Sequence, residues 1–441
     1  MFKEKIINDI TGSVKMKICL LDLFIYIFIF LYPIAPDYLR LGKLSSSELI
    51  FFGFVILFFL TKWKLKKLIT INLLKNYWFY ILLSIVPIFT HNEQAIVLDT
   101  VIKPLVICII LIQWCNSKEK VEKIIHILII AGLLMCILGV VESKTQFNVF
   151  SLIQNYGLDE KMGAMWLDQR YGRVRIEGSF GQAIPFSIYL VFINVLTIYK
   201  LYSKNSISLR KRILYFIVWS LSILCIVLTG TRVSMLLVGL IQLYAIYTMR
   251  TQYKILMIVI GIACIGIYAF AGGEGNILTD SIYTLLSLIK PGLAKKISDS
   301  GSTTTYRLSM FAYLWQFLTK HLWIGMGYVN SLNVAVPVEG SNGTWYQYSI
   351  DNNYLVWWLR YGLVGMTANI FYNVYPIRFL FGTKRTCDYS SSINKRMHLL
   401  LWIFIGYSVI LITVFQMGEK RIHSILIALV FVMYYLNKKN A

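Results

Sequence analysis

The chain alternates between long apolar runs and short polar segments along its whole length. Many of these runs are long enough to cross about 30 Å of hydrocarbon as helices of roughly 20 residues. The runs begin near Ile18, Glu48, Tyr77, Ala95, Lys123, Ala183, Arg212, Arg232, Lys254, Asn352, His398 and Ile422. This pattern predicts an all-α integral membrane protein with about twelve transmembrane helices.

Lysine and arginine are concentrated in alternate connections, such as "KWKLKK", "KEKVEK", "KNSISLRKR" and "RTQYK". Positively charged short loops stay in the cytoplasm. Both termini are therefore predicted to be cytoplasmic, and the long segments 142–182 and 272–351 to lie outside. The net charge of +22 mostly reflects this topology, so we expect no nucleic-acid partner.

The spans and the two outer segments divide the chain into five parts. Residues 1–141 are predicted to hold helices 1–5, and residues 142–182 to form an outer loop. Helices 6–9 are assigned to 183–271 and helices 10–12 to 352–441. Between them, segment 272–351 is too long and too rich in apolar residues for a structureless connector, so we expect a folded outer domain.

One stretch of that outer domain, "TTTYRLSMFAYLWQFLTKHLW", has helical periodicity. Thr304 or Thr305 can cap its start, and the "GMGY" turn at Gly325 to Tyr328 is expected to end it. We predict that the helix lies at the membrane surface or over the spans. The predicted apolar face consists of Leu308, Phe311, Ala312, Trp315, Leu318 and Leu322.

Two arginines are predicted to lie at outer helix starts. Arg232 follows "TGT" at the start of the eighth span, and Arg307 falls in the first turn of the outer helix. A helix start is electropositive, so a cation there is unfavourable unless an anion offsets it. Arginine binds phosphate in a bidentate way, and Arg170, Arg173 and Arg175 add charge nearby. The set favours a phosphate site at the outer leaflet over the alternative that Arg232 snorkels to the interface.

Charged residues also occur near or inside other spans. Asp351, in "SIDNNYLVWWLRYG", is either a helix N-cap or a carboxylate that orients or deprotonates a hydroxyl. Arg360, in the same predicted span, needs a partner or a cavity. Asp99 and Lys103 have the i, i+4 spacing of a pair that neutralises itself, although they could instead line a substrate groove.

Metal and disulfide chemistry have little support in the sequence. The seven cysteines lie in predicted spans or on their cytoplasmic side, none lies in the two long outer segments, and no zinc-ligand spacing occurs. We therefore expect neither a metal nor a cofactor.

Four stretches together resemble the bacterial O-antigen polymerase and ligase superfamily, Wzy-type polymerases and their ligase relatives. They occur in the expected order across roughly residues 165–380. They are "RIEGSFGQAIPFSIYL", "LTGTRVSMLL", "TYRLSMFAYLWQFLTKHLWIGMGY" and "DNNYLVWWLRYGLVG". The resemblance implies a GT-C-like membrane architecture and a metal-independent glycosyltransferase acting on polyprenyl-diphosphate-linked oligosaccharides at the outer face of the bacterial cytoplasmic membrane.

The resemblance also implies roles for individual residues. Arg232 and Arg307 match arginines that the family assigns to the diphosphate, and Arg175 matches the basic position before the Gly-Ser/Thr-Phe turn. Asp351 stands where the ligases carry the His of a His-Asn pair, so the ligase mechanism for activating the acceptor is in doubt. Catalytic candidates are thus Arg232, Arg307 and Asp351. Substrate-binding candidates are Arg173, Arg175, Gly178, Tyr354 and Arg360.

A polymerase of capsule, O-antigen or exopolysaccharide repeat units is the function we favour from the sequence. The alternatives are a ligase that transfers finished glycan to an acceptor, and a flippase or exporter of the same lipid-linked sugar. The partners implied are the lipid-linked substrates, membrane lipid, and a chain-length regulator and flippase.

Overall fold

The computed structural model describes most of the chain. The described residues are 20–36, 39–41, 44–60, 67–151, 169–170, 173–202, 208–248, 254–255, 259, 304–340, 343–347, 350–385, 392–414 and 418–440. The predicted ninth span, which begins near Lys254, lies almost wholly outside them.

The described part is mainly helical, as predicted. The first three helices are α1 Leu20–Ile34, α2 Ser46–Leu60 and α3 Lys67–Thr90. Helix α4 has three successive parts, which are Ala95–Val97, the π-helical turn Leu98–Ile102, and Lys103–Trp114. The next four are α5 Lys118–Thr145, α6 Ala183–Leu201, α7 Leu209–Leu228 and α8 Arg232–Thr248. The last five are α9 Thr304–Lys320, α10 Tyr328–Ser331, α11 Asn353–Arg385, α12 Ser392–Ile410 and α13 Lys420–Asn440.

Three short antiparallel hairpins lie in connections between helices. They pair β1 Arg40–Leu41 with β2 Leu44–Ser45, β3 Gln169–Arg170 with β4 Arg173–Val174, and β5 Val336–Gly340 with β6 Gly343–Gln347. All three occur in segments that the charge pattern places outside. The helices form the body of the fold, and the hairpins lie in the connections between them.

Several described helices are apolar enough to cross a membrane. By length and composition, α5, α6 and α7 are candidate spans. The shorter apolar helices are Leu20–Ile34, Ser46–Leu60, Tyr77–Thr90, Arg232–Thr248 and Arg396–Ile410. These helices are consistent with an all-α membrane protein, whereas the total of about twelve spans stays a prediction.

The core is centred on α6, because 94% of its most apolar stretch is buried inside the protein, compared with 33% for α7. Helix α6 contacts α5, α7, α8 and α12, while α13 packs against α4, α5 and α11. An apolar helix surrounded on all sides by other helices is buried in the protein rather than exposed to lipid. The polar side chains of α6 must therefore find hydrogen-bond partners within the protein.

Polar side chains join the helices around α6. Asn194 of α6 donates from Nδ2 to Oγ of Ser222 in α7 (2.9 Å), and Gln242 of α8 donates from Nε2 to Oδ1 of Asn194 (2.7 Å). Trp219 donates from Nε1 to Oε1 of Gln242 (2.9 Å), which closes the network. An apolar helix surface contacts lipid tails and other helices about equally well. Hydrogen bonds of this kind therefore help to hold membrane helices together.

Ion pairs join helices at both ends. On the side predicted to be cytoplasmic, Glu122 of α5 pairs with Lys200 of α6 and Arg396 of α12. On the other side, Lys103 pairs with Asp99, as their spacing predicts, and also with Glu48 of α2 (2.9 Å). The structure thus adds a third partner that links α4 to α2.

Helix α11 is interrupted at Tyr361 (φ −131°, ψ 15°) and Gly362 (φ 68°, ψ −168°). Asn353, at its start, donates from Nδ2 to Oδ1 of Asn369 at 2.7 Å. Sixteen residues of continuous helix would separate these side chains by about 24 Å. The arm, residues 353–360, therefore folds back on the long segment 363–385, and the run predicted as a single tenth span is two helices.

The connection between α9 and α10 supplies the hydrogen bonds that this interruption removes. Its backbone runs beside the interruption and exchanges four hydrogen bonds with it. They are Met326 N to Leu359 O (2.9 Å), Gly327 N to Arg360 O (2.9 Å), Leu363 N to Leu322 O (2.8 Å) and Val364 N to Trp323 O (3.3 Å). Broken helices in membrane proteins persist where neighbouring groups satisfy the backbone in this way.

The described part of the predicted outer domain is folded and has its own small core. Helix α9 buries Met310, Leu314 and Leu318 against the arm and β5, together with Val336, Leu355, Val356 and Leu359. Of the predicted apolar face of α9, Leu318 is buried in this core, whereas Phe311 and Trp315 are 41% and 47% exposed and Ala312 is exposed as well. Nearly every second position of α9 is apolar, so periodicity alone did not select a face; packing against the arm did.

We predict that alanine at Gly362 or Gly325 destabilises the protein. A Cβ at Gly362 would lie 2.1 Å from the carbonyl of Trp323, and one at Gly325 2.4 Å from that of Arg360. Both glycines also have positive φ, which costs other residues about 1–2 kcal/mol. In the matched control Gly53→Ala, the Cβ meets nothing within 4 Å. Thermal unfolding in detergent should show a lower Tm for the first two variants alone.

Candidate functional site

The turn between α7 and α8, residues Thr229 to Thr231, builds the centre of the candidate site. Gly230 has φ +63°, a conformation that favours glycine. The Thr229 hydroxyl donates to Ile226 O at 2.6 Å and accepts from Thr231 N at 3.4 Å. The polar groups of "TGT" are thus satisfied locally, and α8 starts directly at Arg232.

Arg175 clamps this turn from the segment before α6. Its side chain is buried, its Nε donates to Thr229 O (2.7 Å), and its Nη2 donates to Oγ1 of Thr231 (3.1 Å). These donors are engaged with the protein. A direct role of Arg175 in binding substrate stays a prediction, and its observed contacts hold the turn in place.

Arg232 differs from Arg175. Its Nε is buried and has no hydrogen-bond partner among the described residues. A guanidinium nitrogen is a donor that cannot be deprotonated, and leaving one buried without an acceptor is costly. At the first turn of a helix, the group that satisfies such a donor best is an anionic oxygen.

Glu142 supports the clamp, and the sequence analysis missed it. It lies in the last turn of α5 and accepts hydrogen bonds from Glu177 N (3.0 Å), Gly178 N (2.9 Å) and Asn148 Nδ2 (2.8 Å). Gly178, a predicted binding residue, is buried with φ +55°. The available signal was a single acidic residue at the outer end of an apolar helix, which by itself indicates only a helix end.

A second buried arginine, also missed, comes from the start of α13. Arg421 donates from Nε to Gly418 O (2.9 Å) and from Nη1 to Ala35 O, and its guanidinium lies 5.8 Å from the ring centre of Phe180. It thereby ties the end of α1 and the start of α13 to the segment that carries Arg175. Nothing in "MGEKRIH" distinguishes this arginine from an ordinary loop cation.

Asp351 is half-buried, at the bend before the arm. The capping hydrogen bond at this helix start is made by Asn352, whose Oδ1 accepts from Leu355 N at 3.0 Å. Asn352, and not Asp351, is therefore the N-cap of this helix. Asn353 N donates to Leu411 O and Val414 O, which fixes the start of the arm to the end of α12.

Tyr354 and Arg360, both predicted binding residues, hold the arm to its surroundings. The Tyr354 hydroxyl donates to Ser408 O at 2.8 Å. Arg360 donates from Nε to Oγ of Ser331 (3.2 Å), and its guanidinium lies 4.5 Å from the ring centre of Tyr328. The partner that Arg360 needs is thus supplied by α10.

Glu93, in the connection between α3 and α4, reinforces this contact. Its carboxylate accepts from Tyr328 N (2.9 Å), Val329 N (3.0 Å) and the Tyr361 hydroxyl (3.3 Å). Two backbone donors from α10 and the Tyr361 hydroxyl at the interruption of α11 converge on this one acceptor. The outer domain is therefore fixed to the helical body at this point.

Helix α12 lies between the two catalytic candidates that the structure describes. Near its outer end, Gly406 faces Leu237 of α8, five residues after Arg232. Two residues later, Ser408 O binds Tyr354, three residues after Asp351. Arg232 and Asp351 thus start neighbouring elements at the same end of the fold.

Three predicted residues are only partly described. Arg307 lies in the first turn of α9, as predicted, and Arg170 and Arg173 lie on β3 and β4. Their side chains are outside the described part of the structure.

We predict that Asn352→Ala lowers the free energy of unfolding by about 0.5–2 kcal/mol, the usual cost of losing an N-cap. Asn352→Asp should keep the cap and the stability. Asp351→Asn, one residue earlier, should leave this cap intact and lower the Tm less than Asn352→Ala does. A larger loss of stability in Asp351→Asn than in Asn352→Ala would contradict the assignment of the cap to Asn352.

Residues 216–370 match the family model described as O-antigen ligase (Wzy_C). The match includes Arg232 and Asp351, whereas Glu142 and Arg175 precede it. No curated protein matches the chain. Members of the family are membrane proteins and glycosyltransferase-like enzymes. The resemblance seen in the sequence is confirmed by this match over residues 216–370, which supports the O-antigen polymerase and ligase superfamily.

Proposed function

We propose that this protein is a polysaccharide repeat-unit polymerase at the outer face of the bacterial cytoplasmic membrane. Its substrates are oligosaccharides linked to polyprenyl diphosphate, and both termini are cytoplasmic. The observation that carries the proposal is the buried Nε of Arg232, a donor without a partner among the described residues at a helix start. Such a group fits the diphosphate of a lipid-linked sugar.

The reaction joins two lipid-linked substrates. A sugar hydroxyl of one repeat unit attacks the anomeric carbon of the other chain and forms the new glycosidic C–O bond. The bond between that carbon and the diphosphate oxygen breaks, and polyprenyl diphosphate leaves with the electron pair. Arg232 and Arg307 stabilise the negative charge that develops on the leaving group, which is preorganised electrostatic catalysis. Asp351 orients the attacking hydroxyl and accepts its proton.

The other candidate residues hold the catalytic groups in place or contribute to binding the diphosphate. Arg175 and Gly178 keep the segment before α6 against the turn that precedes Arg232. Tyr354 and Arg360 keep the arm, and with it Asp351, against α12 and α10. Arg173, on β4, adds positive charge for the diphosphate.

The choice of polymerase over ligase rests on Asp351. The ligases of this superfamily carry the His of a His-Asn pair at this position, and this chain has "DNN". A carboxylate is a weaker base than an imidazole, but it orients a sugar hydroxyl as an acceptor of its hydrogen bond. The ligase remains the second candidate, and a chain-length regulator and a flippase are the proposed protein partners.

A flippase or exporter is the third candidate. Such transporters bind substrate near the bilayer midplane between matched halves. The residues of the candidate site around Arg232 and Asp351 instead lie at the connections of one end of the helices. This one-sided arrangement favours chemistry at a single membrane face over transport through it.

We predict that deletion of the gene leaves surface glycans with single repeat units. The measurement is gel electrophoresis of surface polysaccharide, with the wild-type gene restored as a control. Long chains that are not attached to their acceptor would identify a ligase, and loss of all glycan at the outer face would point to transport.

We also predict that Arg232→Lys and Arg307→Lys each lower kcat by about 10²–10³, the usual cost of losing one preorganised donor. A lysine cannot reproduce the bidentate geometry of arginine. The assay is polymerisation of purified lipid-linked repeats, and the control is Arg210→Lys at the exposed start of α7. Wild-type kcat in both test variants would show that these arginines do not contact the substrate.

A further inference from the structure

The carboxylate of Glu142 is a buried acceptor of several hydrogen bonds near the candidate site. The residue is 4% exposed, and its two oxygens accept three hydrogen bonds of 2.8–3.0 Å. Two of the donors are consecutive backbone groups, Glu177 N and Gly178 N. Because one side chain accepts from two consecutive backbone N–H groups, this contact fixes the path of the chain at these two residues.

The same segment is confined on its other sides. A Cβ at Gly178 would lie 2.8 Å from Met135 Cε and 3.2 Å from a ring carbon of Phe186. Asn148 bridges the carboxylate to the segment, because its Nδ2 also donates to Gly178 O at 2.9 Å. The backbone at Gly178 therefore has little freedom to shift while Glu142 holds it.

This confinement reaches Arg232 through Arg175. Arg175 precedes Glu177 by two residues, and its guanidinium binds the groups on both sides of Gly230. Arg232 follows that turn directly. Glu142 thus acts on Arg232 through two sets of hydrogen bonds and does not touch the substrate itself.

We propose that Glu142 is a positioning residue for Arg232, and that it sets where the Arg232 guanidinium meets the diphosphate. The inference rests on the proposed function, since it assumes that Arg232 stabilises the leaving diphosphate. Both Glu142 and Arg175 lie before the segment that matches the family model. The catalytic turn is therefore held by a part of the chain outside that segment.

A matched control exists on the same helix. Glu122 lies twenty residues earlier in α5, and its carboxylate also accepts bonds from two other helices, through Lys200 and Arg396. It is at the opposite end of the fold, away from the Thr229 to Thr231 turn. Removing its charge tests what the loss of a half-buried, hydrogen-bonded carboxylate on α5 does to stability alone.

The experiment compares Glu142→Gln with Glu122→Gln as purified full-length proteins. Kinetics are measured per folded protein from the monodisperse fraction, and thermal stability is recorded in parallel. In Glu142→Gln one carboxylate oxygen becomes an amide donor that faces a backbone N–H. We expect kcat to fall about 10- to 100-fold, as displacements near 1 Å can cause, while KM changes less than about 3-fold. Glu122→Gln should lower the Tm and keep the wild-type kcat.

Asn148→Ala is a milder second variant, which removes one donor to Glu142 and keeps the carboxylate. If Glu142→Gln fails to fold, a several-fold lower kcat in Asn148→Ala supports the inference, and a wild-type kcat overturns it. Wild-type kcat in Glu142→Gln, together with an inactive Arg232→Lys, overturns the positioning role and leaves the proposed function intact. Wild-type kcat in Arg232→Lys overturns the role proposed for Arg232, and with it the inference, whereas absence of polymerisation by the wild-type protein overturns the proposed function itself.

Discussion

The requirement that buried backbone groups be paired governs how the outer part of this protein is built. The interruption of α11 frees the carbonyls of Leu359 and Arg360 and the N–H groups of Leu363 and Val364. The connection between α9 and α10 forms hydrogen bonds with all four groups. Because the two backbones touch, glycine is needed on both sides. The arm therefore has one position relative to the long segment of α11, and that position fixes where Asp351 begins it.

The same requirement separates two arginines that look alike in the sequence. Both occur beside outer helix starts in polar, glycine-containing segments. Arg175 is buried with its donors on Thr229 and Thr231, so it contributes to the framework of the site. The Nε of Arg232 is buried without an acceptor in the described part of the chain. An unfilled guanidinium donor at a helix start is a feature that an anionic group completes.

The site depends on segments far apart in the chain. The turn before Arg232 is held by Arg175, which is held by Glu142 of α5, and Arg421 of α13 ties the same segment to the end of α1. The family match covers only residues 216–370, so part of this support lies outside it. A short catalytic segment can be maintained in this way while the chain around it provides the rigidity.

The sequence by itself determined the helical class, most helix positions, the basic loops and the turn that ends at Arg232, because these follow from local hydropathy, charge and glycine. It also placed Asp99 beside Lys103. It could not show that Asn353 meets Asn369, that α9 buries Met310 rather than Phe311, or that Asn352 caps the arm. Nor could it show that Glu142 holds Gly178. Those contacts join residues whose proximity depends on the path of the chain between them, or they choose among equivalent local options, and only packing in three dimensions decides both.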